Sequence, residues 1–285
     1  MPAVQRRVRR LEGHLLSPNT LPASTPTAAT TPKTHAFGVE DMFRMQSVGG
    51  GQLSPDGQWV AFTVTSTDRV ADSTETALWM GSATDDSVLP IRMTAKGTSA
   101  GSPCWSPDGA LLTFLSSRSE PGSDAAASSQ VWALRLLGGE AFKLTAVETG
   151  VLSYSWSPDA ARPRLLLSVR DDLTPAAPIV DEGEAAPPTA EPWVMDSLQF
   201  KQDYVGYLDV TRGGVHLWVQ EPAVPVEAVG APALTQITSG KSSSESTAAW
   251  SPDGQRVAFS SNRTPEPDSN TSANIWVVSV RSFPR

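Results

Sequence analysis

The chain has 285 residues, 39% hydrophobic and 18% charged, enough for one large domain or two small ones around a sizeable core. A net charge of -8 and a pI of about 4.9 argue against nucleic-acid binding through a basic surface, and no apolar run approaches membrane-spanning length. A single cysteine, Cys104, excludes an internal disulfide framework and a cysteine-rich zinc site, and His14, His35 and His216 lie too far apart for a metal-ligand spacing.

Residues 1–35 differ from the rest. Arg6, Arg7, Arg9 and Arg10 are basic, Glu12 is the only acid, and Ser, Thr, Pro and Ala dominate the remainder. This composition reads as a disordered leader, with an organellar transit peptide as the alternative. A cytoplasmic location is expected, or an organellar one if the leader is a transit signal.

"GVEDMFRM", Gly38–Met45, reads as a short helix. Four near-copies of one turn then follow: "QLSPDGQWVAF", "PCWSPDGALLTF", "YSWSPDAARPRLLL" and "AAWSPDGQRVAF", with Ser54, Ser106, Ser157 and Ser251 as their markers. Proline presets the second position of a type I turn, Asp suits the third, and Gly accepts the left-handed residue that follows. The turn closes a hairpin with a bulge, and "QWVAFTVT", "ALLTFLSS", "RLLLSV" and "RVAFSS" are its second strands. Ala160 replaces the glycine in the third copy, where a looser or differently bulged hairpin is expected. Asp56, Asp108, Asp159 and Asp253 are turn-forming residues rather than metal ligands or catalysts.

Two further marks follow in constant order. Trp79, Trp132, Trp218 and Trp276 mark a third strand; Met93-Thr94, Leu144-Thr145 and Ile237-Thr238 mark a fourth. Seven of the nine tryptophans fall on the turn or the third strand, so the period is not a coincidence of composition. Ser157 and Ser251 stand 94 residues apart, yet one Trp mark and one Thr mark lie between them. The third unit is therefore single and carries an insertion. Its stretch at about 171–192 is acidic and rich in Pro and Ala, a surface loop, and "WVMDSLQFKQDYVGYL" after it should pack.

A four-stranded antiparallel unit repeated about every 50 residues is a β-propeller blade. The expected fold is all-β: a partial propeller over residues 36–285 with about four blades, the last incomplete because no Thr-marked strand follows Trp276. Its unpaired edge should invite self-association.

"WSPDG" followed by an apolar strand, then "SSR" or "SSNR", then "IWVV", resembles the propeller repeats of TolB-like proteins and of the prolyl oligopeptidase family. "FGVEDMFRMQSVGGGQLSPDGQWVAFTVT", "VWALRLLGGEAFKLT" and "LQFKQDYVGYLDVTRGGVHLWV" are similar to the blades of acylaminoacyl-peptidase-like members, over roughly residues 36–280. The resemblance implies a propeller that restricts peptide entry to an α/β-hydrolase domain with a Ser, Asp and His triad. That hydrolase domain is expected to be absent from this chain. The alternative is a non-enzymatic TolB-like propeller that binds a protein partner.

The residues themselves offer little catalysis. "GTSAG" fits the nucleophile-elbow pattern around Ser99, but that elbow needs a strand before it and a helix after it, and Pro103 and Pro107 exclude the helix. His216 falls in a Trp-marked strand, as a packing or edge residue. Cys104 reads as a small buried strand residue. Arg118 and Arg263 are expected to form ion pairs within or between blades, with a substrate carboxylate as the other option. Asp181, Glu182 and Glu184 read as a solvated charge run. No catalytic, cofactor-binding or metal residue is expected in the chain.

Overall fold

A computed structural model describes residues 36–119, 128–136, 138–172, 201–202, 206–207, 212–221, 233–240, 243–267 and 269–280. The expected short helix is α1, Val39–Met42. Blade one follows as β1 (Gln46–Leu53), β2 (Trp59–Asp68), β3 (Ser73–Ser82) and β4 (Ile91–Arg92), antiparallel and in chain order. Blade two repeats this with β5 (Gly101–Trp105), β6 (Leu111–Ser116), β7 (Gln130–Arg135) and β8 (Phe142–Lys143). Blade three takes β9 (Ser153–Trp156) and β10 (Leu165–Asp172) from before the insertion. Within the insertion β11 (Lys201–Gln202) pairs with β12 (Gly206–Tyr207); then β13 (Arg212–Gln220) and β14 (Leu234–Gln236) complete the blade. The third unit is thus single, as the marks require. Blade four, β15 (Glu245–Trp250), β16 (Arg256–Ser261) and β17 (Asn274–Ser279), has three strands among the described residues. The leader, the acidic loop at 173–192 and most of "WVMDSLQFKQDYVGYL" lie outside the described residues.

Three of the four turns fold alike, for the reason their sequence gives. The Gly57, Gly109 and Gly254 amides donate to the carbonyls of Ser54, Ser106 and Ser251 three residues back, and each glycine sits at a φ between 66° and 71°. Each serine hydroxyl donates to the turn aspartate at 2.5 Å and accepts the amide that opens the second strand at 2.9 Å. The aspartate oxygen in turn accepts the amide two residues on, at 3.0 Å. In the third turn Ala160 adopts no positive φ, and the Ser157 amide reaches Arg164 rather than the fifth residue on. A residue with a Cβ avoids the left-handed well, so this loop lengthens by two residues.

The marks are register signals. Phe62, Phe114, Leu167 and Phe259 stand directly opposite Trp79, Trp132, Trp218 and Trp276. The Thr marks lie just beyond the short fourth strands rather than inside them. There the Met93, Leu144 and Ile237 amides donate to the carbonyls of Leu78, Val131 and Leu217. The next hydroxyl, on Thr94, Thr145 or Thr238, accepts the amide of that same third-strand residue at 3.1, 2.9 and 2.8 Å. A side chain thus substitutes for the next rung of the ladder and ends the strand without an orphaned amide.

Three apolar clusters each join consecutive blades. Ala61, Leu78 and Met80 meet Leu112, Phe114 and Trp132; Val131 and Ala133 meet Leu165 and Leu167; Leu217 and Val219 meet Val257 and Phe259. Burial at each junction is the dominant stabilising term, at roughly 25 cal/mol per Å² of apolar surface. The first strands of blades one, two and four carry bulges that sequence reading did not anticipate, and Gly50, Ser102 and Thr247 in them have φ of 63°, 51° and 49°. Each stands four residues before its turn serine, so the bulge belongs to the repeat.

Candidate functional site

Among the described residues, the buried ionisable side chains gather where blade three meets blade four. His216 is on β13, two residues before the Trp mark, and is fully buried. Its Nδ1 lies 2.6 Å from Glu245 Oε2, and its Nε2 lies 3.0 Å from the Gly240 carbonyl and 3.3 Å from Asp171 Oδ2. Glu245, on β15, also accepts from Thr238 Oγ1 at 2.8 Å and from Arg263 Nη2 at 2.5 Å. Arg263 is held over the rings of Phe259 and Trp276, at 5.5 and 5.6 Å. Gly214 permits this packing, because a Cβ there would stand 2.2 Å from the Ser243 carbonyl.

The same position in blade two is Gln130. Its amide donates to the Val147 carbonyl at 2.6 Å and accepts from Thr145 Oγ1 and the Val147 amide at 2.8 and 3.0 Å. In both blades the third-strand side chain bonds the carbonyl two residues past the Thr mark. His216 and Gln130 therefore play the same part, satisfying the connector that leads to the next blade. Of the two roles the sequence leaves open for His216, strand packing or an exposed edge, the structure shows the packed one. Sequence reading missed Gln130, for which a polar residue two before the Trp mark in two repeats was the available signal, and Glu245, which has no such mark.

The remaining candidates fall as follows. Ser99 is exposed in the loop between β4 and β5 with no helix after it, and its carbonyl accepts from Ser116 Oγ at 2.7 Å. Cys104 is a half-buried strand residue whose thiol burial pushes up, the opposite of an activated nucleophile. Arg263 forms the expected ion pair with Glu245. Arg118 instead donates to the Ala141 carbonyl at 2.9 Å and lies 3.8 Å from the centre of the Trp132 ring. The hydrogen bond from Ser54 holds Asp56 below the usual carboxylate range, and Ser251 does the same for Asp253, as turn formation requires. Asp181, Glu182 and Glu184 lie outside the described residues. No group of three or more His, Cys, Asp and Glu suited to a metal ion occurs among the described residues.

This arrangement joins blades; it presents no nucleophile to a base. Both nitrogens of His216 are engaged, and among the described residues no serine or cysteine side chain is bonded to either.

No family model matches the chain. A curated Bacillus subtilis (strain 168) protein described as an uncharacterized peptidase, YuxL, is 29% identical over 240 residues, 84% of this chain. The chain spans about a third of that relative's length, 33%. The orthorhombic crystal form of Pyrococcus horikoshii acylaminoacyl peptidase superposes with a TM-score of 0.54 at 18% identity, over 83% of this chain and 31% of that one. Its uncomplexed structure gives a TM-score of 0.53 at 18% identity, with the same coverage. At that identity the superposition establishes the fold, and the sequence match adds a peptidase relative. In fold the chain resembles the β-propeller of an acylaminoacyl peptidase, and in sequence it resembles a curated peptidase.

Proposed function

We infer that the chain is the propeller part of a prolyl-oligopeptidase-type serine peptidase and selects small peptides for a hydrolase domain that these 285 residues do not supply. The sequence match to a peptidase over 240 residues carries this reading. The described residues add a negative of the right kind: Ser99, the one serine that fits the elbow pattern, lies on an exposed loop far from that geometry. In this reading the blades form a stiff wall, because consecutive sheets are joined by both apolar clusters and buried hydrogen bonds. Peptide access is then set by the frame rather than by a mobile loop.

The test is hydrolysis of amino-terminally blocked short peptides by the native product purified from its own cells. The expected result is cleavage of short peptides, little cleavage of folded proteins, and loss of activity with a serine-directed phosphonate. Native product that cleaves no blocked peptide overturns the reading.

A further inference from the structure

The ring nitrogens of His216 are met by acceptors on both sides. Nδ1 lies 2.6 Å from a Glu245 carboxylate oxygen, and Nε2 lies 3.0 Å from the Gly240 carbonyl and 3.3 Å from an Asp171 carboxylate oxygen. A neutral imidazole has one N–H and one lone pair. With the hydrogen on Nδ1, the Nε2 lone pair faces the oxygens of Gly240 and Asp171. With the hydrogen on Nε2, the Nδ1 lone pair faces a carboxylate. Thr238 cannot relieve either clash, because its hydroxyl accepts the Leu217 amide and gives its one hydrogen to Glu245 Oε2. Both ring nitrogens therefore need a hydrogen. The Arg263 guanidinium on the other Glu245 oxygen keeps that carboxyl an acceptor, so the extra proton belongs to the ring.

The surrounding charges agree. Among the described residues, the charged groups facing the ring or its carboxylate partner are Asp171 on β10, Glu245 on β15 and Arg263 just after β16. Arg170, next to Asp171, is bonded to the Gly213 carbonyl at 3.3 Å instead. An imidazolium gives this group two positive and two negative charges. A neutral ring leaves an excess negative charge where the side chains of His216 and Glu245 are both fully buried, which is costly.

The group also stands at the root of the insertion in blade three. Asp172, where β10 ends, pairs with Arg212, where β13 begins. Asp171 comes one residue before that exit and His216 four residues after the return, while Gly240 lies on the connector to blade four.

We propose that His216 is a proton-dependent clasp, which ties the root of the insertion and the connector to blade four while its ring carries two hydrogens and releases them when it gives one up. The junction of blades two and three supplies the contrast. There Gln130 donates to the Val147 carbonyl and accepts from Thr145 and the Val147 amide, with no proton to lose. The closed clasp holds a proton that a histidine in an unfolded segment gives up at its ordinary value of about 6.5. Below that pH both states bind the proton and the clasp has its full strength. Above it, opening releases a proton and becomes easier as pH rises, by up to about tenfold per pH unit.

The test is hydrogen-exchange mass spectrometry on the full native protein from about pH 6 to about pH 9, corrected for the intrinsic pH dependence of exchange. Amides in 213–220 and 237–245 should lose protection steadily above about pH 6.5, approaching tenfold per unit, while those in 128–135 and 144–151 should hold theirs. His216→Gln, which copies the neutral side chain of blade two, should abolish the difference between the two junctions. Protection that falls in parallel at both junctions, or at neither, overturns the proposal. So does a dependence confined to the blade three–four junction that persists in a folded His216→Gln. If circular-dichroism melts show that variant to be unfolded, the wild-type comparison of the two junctions decides alone. The proposal does not depend on the peptidase reading.

Discussion

Glu245 is bonded to a histidine, a hydroxyl and a guanidinium at once, and its side chain is fully buried. Its removal strands the charge of Arg263 and one nitrogen of His216. Glu245→Ala should therefore cost about 3–5 kcal/mol in denaturant unfolding. His216→Gln should cost much less than His216→Ala, because Gln130 already makes the equivalent bonds in blade two. Thr113 is a comparable hub at the preceding junction. Its hydroxyl donates to the Cys104 carbonyl at 2.8 Å and accepts from Trp156 Nε1 at 3.0 Å, with Tyr154 Oη also 3.0 Å away. Thr113→Val keeps the shape and removes the partner, so unfolding should show a loss of about 1–3 kcal/mol that Thr113→Ser largely restores. Individual side-chain partners of this kind were the least legible part of the sequence. His216 and Glu245 are 29 residues apart and meet only once two sheets stack.

Acid lability also belongs to single residues. Asp56 and Asp253 are lowered chiefly by their serine hydroxyls, and Glu75 by its hydrogen bond from Arg92. A carboxylate with a lowered folded pKa stabilises fully above its unfolded value, here 3.8 for Asp and 4.5 for Glu, and loses that contribution as pH falls through the folded value. Urea midpoints should therefore drop between about pH 5 and pH 3. In Ser54→Ala/Ser251→Ala the drop should be shallower, since the main cause of two of the shifts is gone.

The hairpin is the element that the sequence specifies most completely, because all its determinants are local. Ser, Pro, Asp and Gly lie within four residues, and each has a distinct hydrogen bond or dihedral duty. Gly109 has a φ of 71°, and an added Cβ would meet Pro55 no closer than 3.6 Å. Gly109→Ala therefore carries only the left-handed backbone penalty, and should lower stability by about 1–2 kcal/mol. Ala160→Gly at the matching site of blade three should bring no gain, because that loop has already lengthened to avoid the left-handed well. Thermal melts of the two variants separate the effects. The Trp and Thr marks were legible for the same reason: register opposite Phe or Leu and strand termination by a hydroxyl recur at fixed offsets. The bulges were not, since Gly50, Ser102 and Thr247 share a conformation and no residue type.

At the scale of the molecule, repetition made the fold readable and left the chemistry unwritten. Four sheets stack in chain order, and each junction reuses the same positions, so one good repeat alignment yields the whole core. The peptidase reading has a different basis, the relative that this chain matches along a third of its length. On that reading the present residues frame the substrate, and the reacting serine belongs elsewhere in the protein.

The most direct measurement is to label the native product with a fluorophosphonate and map the modified peptide by mass spectrometry. The expected result is one labelled serine on a strand–helix elbow, at none of the positions in these 285 residues. A label on Ser99 or any other serine of the blades, or a native protein that takes no label, would contradict the peptidase reading.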